Sequence, residues 1–132
     1  TNMSDMFNYC SSLVSIPQLD TSSVTNMNRM FYECRSLVSI PQLDTSSAMY
    51  MTSTFANCLS LTHIKITNIK NALSFSAVKL LSKESLLYII NNEAATSAIT
   101  ISLHSYAYSR LAEDADVVAA LANHPNISLA SA

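Results

Sequence analysis

Glycine is missing altogether from the 132 residues of this chain, where average usage would supply about nine. The phosphate loop of nucleotide hydrolases, the GxGxxG dinucleotide fingerprint, the GxSxG nucleophile elbow and the EF-hand loop all need glycine, for positive φ or close backbone approach. None of them is present. Charge is scarce as well: only 12% of residues are Asp, Glu, Lys or Arg, and the formal net charge is −2. No nucleic-acid partner is expected from that balance. Long apolar runs are absent too. The longest, around Leu86-Leu87-Tyr88-Ile89-Ile90, falls well short of the roughly 18 residues of a spanning helix, so no membrane insertion by this segment is predicted. The opening Thr1-Asn2-Met3 carries no charged and apolar leader pattern. What remains is 49% hydrophobic, enough for the core of one domain.

What the chain does have is internal repetition. Thr1-Asn2-Met3 recurs as Thr25-Asn26-Met27, Phe7 as Phe31 and Phe55, Cys10 as Cys34 and Cys58, Leu13 as Leu37 and Leu61, and Ile16 as Ile40 and Ile64, always 24 residues on. The stretch Ser12–Ser23 returns unchanged as Ser36–Ser47, while the third copy substitutes Lys65, Thr67 and Asn68 for Pro, Leu and Asp. A unit this short cannot bury its own apolar face, so neighbouring units must stack. Met27, Met30, Phe31 and Cys34 lie at i, i+3, i+4 and i+7, the spacing of a short helix. Leu37 to Ile40 reads as a strand limited by Pro41, and Asp44-Thr45-Ser46-Ser47 as a capping turn. A short strand plus a short helix per 24-residue unit predicts an α/β leucine-rich-repeat solenoid, with residues 1–72 as the repeats. The chain opens inside a unit at Thr1, which predicts earlier units ahead of it.

The pattern Thr-Asn-Met-x-x-Met-Phe-x-x-Cys-x-Ser-Leu-x-x-Ile-Pro-x-Leu-Asp-Thr-Ser over residues 1–68 resembles the BspA-like leucine-rich-repeat surface proteins of bacteria; similar repeats occur in proteins of gut bacteriophages. The resemblance implies an extracellular, cell-surface or virion-associated protein that adheres to proteins or cells. Many members of that family carry glycine just before the cysteine, where this chain has Tyr9, Glu33 and Asn57.

Beyond Asn71 the period is lost. Residues 82–92 read as a helix N-capped by Ser82, with Leu86, Leu87 and Ile90 inward and Asn91-Asn92 able to adopt the left-handed region at its end. Residues 98–103 alternate as a strand. Residues 106–123 read as one amphipathic helix with Leu111, Ala115, Val118, Ala119 and Ala122 on a shared face, and residues 126–130 as a last strand. Degenerate repeats over 73–132 are therefore expected to form a C-terminal helix–strand cap, giving one continuous solenoid domain.

No candidate site forms a catalytic constellation. Cys10, Cys34 and Cys58 are an odd count in one column, without a CxxC, and read as buried thiols acting as small apolar residues. A Cys58–His63 nucleophile pair lacks any visible orienting group or oxyanion hole. Asp20 and Asp44 could pair as carboxylates but read as turn caps, and Met3, Met27, Met51, Met6 and Met30 read as core filling. His63, His104 and His124 share no ligand spacing, so no metal and no cofactor is predicted. The asparagines Asn68, Asn91-Asn92 and Asn123 are the positions where any positive φ is expected.

The expected function is a non-catalytic extracellular recognition or adhesion module. Its partner would be a protein or cell-surface ligand, and it would act as a monomer or as part of a longer chain. The candidate binding face is Ser15, Gln18, Ser39, Gln42, His63 and Lys65, the strand positions directed away from the core. A structural spacer of a larger surface or phage tail protein, an intracellular protein–protein interaction module (free cysteines suit a reducing compartment) and an enzyme of unknown type are the alternatives.

Overall fold

A computed structural model describes all residues, Thr1–Ala132. In the first three units the stretch from Met3, Met27 or Met51 to the cysteine is a succession of tight turns. Within a unit, Met30 N–H donates to Met27 O at 3.2 Å, Tyr32 to Arg29 at 3.1 Å and Cys34 to Phe31 at 3.1 Å. The intervening N–H groups leave the unit. Met27, Arg29, Phe31 and Glu33 donate to the carbonyls of Tyr50, Thr52, Thr54 and Ala56 at 2.8–3.0 Å, and Met3, Asp5, Phe7 and Tyr9 donate in the same way to Asn26, Asn28, Met30 and Tyr32. This direction of bonding accompanies left-handed backbone at the donors Asp5, Tyr9, Arg29 and Glu33, and the third unit repeats that backbone at Ser53 and Asn57; φ at all six lies between 53° and 62°.

Those residues correct the predicted fold. The α/β class is compatible with the structure, but no α-helix lies in residues 1–82, so the units are not strand-plus-helix. A left-handed residue every fourth position stops a right-handed helix from propagating. The apolar spacing nevertheless keeps Met27, Met30, Phe31 and Cys34 fully buried. The strands do not form the single sheet of the predicted solenoid either. They fall into two separate parallel sheets: β1 (Ser39–Asp44) with β2 (His63–Thr67), and β3 (Leu73–Phe75), β4 (Ile99–Leu103) and β5 (Ile127–Ser131) in that order.

Helix α1 (Lys83–Asn91) separates the sheets. Its cap and first turn occupy the outer edge of β2, where Ile64 N–H donates to Ser85 Oγ at 2.9 Å and Ser82 N–H donates to Thr62 O at 2.8 Å. A strand edge satisfied by a helix offers no ladder to β3.

Pairing of β1 with β2 slips by one residue. Ser39 faces His63 and Ile40 faces Ile64, but Leu43 faces Ile66 and Asp44 faces Thr67. Pro41-Gln42 is the bulge, at a residue that has no N–H to lose. The slip lets Ile66 take the buried place of Leu43.

The C-terminal part contains α1, capped by the Ser82 hydroxyl as expected, and two further helices in place of the single one predicted. These are α2 (Ser105–Leu111) and α3 (Ala115–Asn123). The break arises because Asp114 caps α3, its carboxylate accepting from the N–H groups of Asp116 and Val117 at 2.9 and 3.4 Å. The break rotates the buried face. Val117 and Ala120 point inward, while Ala115, Val118, Ala119 and Ala122 are exposed. Lys83 Nζ ties α1 to that cap, 3.0 Å from Asp114 and 2.6 Å from Asp116. Through the core of the repeats as far as β3 runs a stack of rings, Phe7–Phe31–Phe55–Phe75, with centroids 5.4, 6.0 and 5.2 Å apart. Phe75, on β3, extends the column past the point where the 24-residue spacing ends. No helix is long and apolar enough to cross a membrane.

Candidate functional site

Ser15, Gln18, Ser39, Gln42, His63 and Lys65 are all exposed. The structure gathers Gln18, Ser39, Gln42, His63 and Lys65 around one open cleft of about 490 Å³, and leaves Ser15 outside it. The far wall comes from α1, as Glu84, Ser85 and Tyr88. Ile40, Pro41 and Ile64 line the same cleft.

Each wall follows from a local feature already described. The Pro41-Gln42 bulge turns a β1 carbonyl outward, and Gln18 Nε2 donates to it at 2.6 Å. The His63 ring is oriented by Thr62, whose Oγ1 lies 2.8 Å from Nδ1. Lys65 Nζ lies over the Tyr88 ring, 5.5 Å from its centroid, a contact worth about 0.5–1 kcal/mol at an exposed site. The exposed side chains of Gln42, Glu84 and Ser39, which line the cleft, make no hydrogen bond or ion pair with the protein. The site therefore offers donors, acceptors and one charge of each sign on a preformed frame.

Glu84, Ser85 and Tyr88 were not among the sequence candidates. They lie past the last recognisable unit, and nothing in their spacing indicates that α1 would dock on the edge of β2.

The other sequence candidates take structural places. Cys34 and Cys58 are fully buried, and their thiols donate to the carbonyls of Phe7 and Phe31 at 3.0 and 3.1 Å. Burial pushes Cys34 up to about 11 and Cys58 up to about 12. Cys58 thus points to the Phe31 carbonyl and carries no thiolate near neutral pH. Cys10 is half-buried.

Asp20 Oδ1 accepts from the hydroxyl and N–H of Ser22 at 2.6 and 3.1 Å, which holds its carboxyl below the usual range. Asp44 Oδ1 accepts from Ser46 N–H at 2.9 Å and from Asn68 Nδ2 at 3.1 Å, with the same effect. Both are turn caps. His104 Nδ1 accepts from Tyr106 N–H at the start of α2, and His124 Nδ1 lies 3.1 Å from Glu93 Oε1. Among the positions expected to tolerate positive φ, Asn68 does so at 61°; the others named do not. Instead the positions before each cysteine do: Tyr9, Glu33 and Asn57.

Fold and site together define a small α/β protein, built in its first half from hydrogen-bonded 24-residue units and carrying an open polar cleft. A family model described as "Mycoplasma protein of unknown function, DUF285" matches residues 1–83. The chain belongs to that family. No curated protein and no solved structure matches it.

Proposed function

We propose that this chain is a non-catalytic extracellular recognition module that binds a protein or cell-surface ligand through the cleft between β1, β2 and α1. The observation that carries this reading is the convergence of Gln18, Ser39, Gln42, His63 and Lys65, taken from successive units, with Glu84 and Tyr88 of α1. Side chains with unused hydrogen-bonding capacity on a rigid frame lose little entropy when a ligand arrives. The resemblance of residues 1–68 to BspA-like surface proteins supports an adhesive role and a place on a cell surface or virion. The burial of Cys58 supports a role without nucleophilic chemistry.

The test is binding of the purified chain to bacterial cells, immobilised matrix proteins and glycan arrays, alongside K65E and Y88A. The reading requires a ligand whose binding falls at least about tenfold in both variants while the thermal midpoint holds, a loss of about 1.4 kcal/mol. Binding unchanged in both variants, or no binding on any surface, would refute it.

A further inference from the structure

The chain has seven lysines and arginines against a net charge of −2, and most of them are matched within the fold. Arg29 and Arg35 pair with Asp5 and Glu33, and Lys83 with both Asp114 and Asp116. Lys70 Nζ donates to the Ser46 carbonyl at 3.0 Å, and Lys65 shares its cleft with Glu84. Lys79 and Arg110 are different. Neither forms an ion pair with any carboxylate, Glu113 just past α2 included. Yet the fold sets both cations on a single ring: Lys79 Nζ lies 5.3 Å and Arg110 Cζ 6.0 Å from the centroid of Tyr106.

Two segments far apart in the sequence build this cluster. Lys79 and Leu80 lie in the turn between β3 and α1, while Tyr106 opens α2 and Arg110 sits in its last turn. Arg110 is fixed in place, because its Nη2 donates to Leu81 O at 2.6 Å. Its Nε and Nη1 donate to no protein group. All four side chains are exposed, Tyr106 by 50% and Leu80 by 56%. Like charges gathered without a counter-ion raise the local positive potential, and the negative face of the ring offsets it only in part. None of these residues lines the cleft between β1, β2 and α1.

We infer that Lys79, Leu80, Tyr106 and Arg110 form a second docking surface, for an acidic segment of a protein partner that carries carboxylates beside apolar side chains. Charge complementarity selects the acidic half. The free guanidinium donors of Arg110 suit a carboxylate, whose two oxygens accept charge-assisted hydrogen bonds, and the Lys79 ammonium adds a mobile point charge next to it. Leu80 and Tyr106 select the apolar half. They present hydrocarbon and ring surface directly beside the cations, and burying it is favourable only against an apolar group. Tyrosine and arginine are also the residues that most often dominate protein interfaces. A sulfated polysaccharide satisfies the two cations but leaves Leu80 and the ring in water.

The experiment titrates an end-blocked Glu-Leu-Glu-Leu-Glu peptide into the isotopically labelled full chain and follows its amide resonances. Saturable shifts are expected at Lys79, Leu80, Tyr106 and Arg110, and added salt should weaken the binding. Lys79→Gln and Arg110→Gln should each weaken it about fivefold or more, the lower bound of an interface hot spot. Tyr106→Leu should do the same and Tyr106→Phe should not, since the ring is what holds both cations. Lys70→Gln removes a cation elsewhere and should leave binding intact. Thermal midpoints of all five variants, expected to stay at the value of the unaltered chain, separate lost binding from lost folding. No saturable shift at the four residues, or an equal loss in Lys70→Gln, would overturn the inference. Poly-glutamate binding as tightly as the Glu-Leu peptide would remove the apolar half of the argument and overturn it too. A heparin oligosaccharide that shifts the same residues at a lower concentration than the peptide would assign the surface to sulfated polysaccharide instead.

Discussion

Ser53→Gly is the substitution that most sharply separates the observed backbone from the helix the apolar spacing predicts. Ser53 is exposed, has φ of 56° and engages no other residue through its hydroxyl. An L-residue in the left-handed region costs roughly 1–2 kcal/mol relative to the right-handed one, and glycine is free of that cost. Against this, glycine loses about 0.5–1 kcal/mol more conformational freedom on folding. The net is a gain of about 0.5–1 kcal/mol. For a chain of this size that is about 2–5 °C in the thermal midpoint. In a helix interior the sign reverses, because glycine there costs a few tenths of a kcal/mol relative to serine. Ser53→Val is the complement. A β-branched residue at positive φ is strained and should destabilise by more than about 1 kcal/mol, whereas serine and valine rank together in a helix. Urea unfolding followed by circular dichroism measures both, with the m-value checking that the denatured state is unchanged. A lower midpoint for Ser53→Gly together with an unaffected Ser53→Val would refute the left-handed turn and restore the helix.

Three further outcomes follow from the packing and the charges. Phe31→Ala removes a fully buried ring stacked on both sides and should cost about 3–5 kcal/mol; Phe7→Ala, at the half-covered end of the column, should cost clearly less in the same urea titration. Thiol labelling of the native protein near pH 8 should modify Cys10 well ahead of Cys34 and Cys58, since a thiol at about 11 has only about one thiolate in a thousand at that pH. Equal rates for all three would contradict the buried S–H to carbonyl contacts. Acidification should destabilise the fold. Glu33 is held below its usual range by Arg35 and Asn57, Asp114 by Lys83, Asp44 by Ser46 and Asn68, and Asp20 by Ser22. Depressed carboxylates contribute stability above their unfolded pKa and lose it as pH falls through the folded value. The thermal midpoint should therefore hold between about pH 7 and 5 and drop below about pH 4. A midpoint that rose on acidification would contradict these assignments.

The candidate site was legible only in part, and the reason is geometric. Gln42 has the parity of buried Ile40 and is turned outward only by the bulge, but the exposure of Ser39, His63 and Lys65 follows from alternation beside buried Ile40 and Ile64, which a linear pattern records. The opposite wall does not. Tyr88 and Glu84 reach the cleft because Ser85 satisfies the edge N–H of Ile64, a pairing between residues with no common motif. The one-residue slip at Pro41-Gln42 is likewise invisible in the repeat alignment, which sets Ile66 against Gln42 rather than against Leu43.

By itself the amino-acid sequence determined the 24-residue unit, the columns of Met, Phe, Cys, Leu and Ile that build the core, and the Ser82 cap of α1. These are properties of which residues recur and which side of the chain they occupy. The tertiary structure decided where the backbone N–H groups go. Spacing at i, i+3, i+4 and i+7 is met equally by a helix, which bonds within itself, and by left-handed turns, which bond to their neighbours. The split into two sheets, the break between α2 and α3 and the docking of α1 were settled in the same way. Hydrophobic periodicity specifies burial, while hydrogen-bond partners are chosen by whichever segment arrives alongside. The absence of glycine illustrates the division. It excluded several phosphate and nucleophile motifs at once, yet the seven left-handed positions are filled by Asp5, Tyr9, Arg29, Glu33, Ser53, Asn57 and Asn68, the first six in turns that are tied by four inter-unit hydrogen bonds at each step.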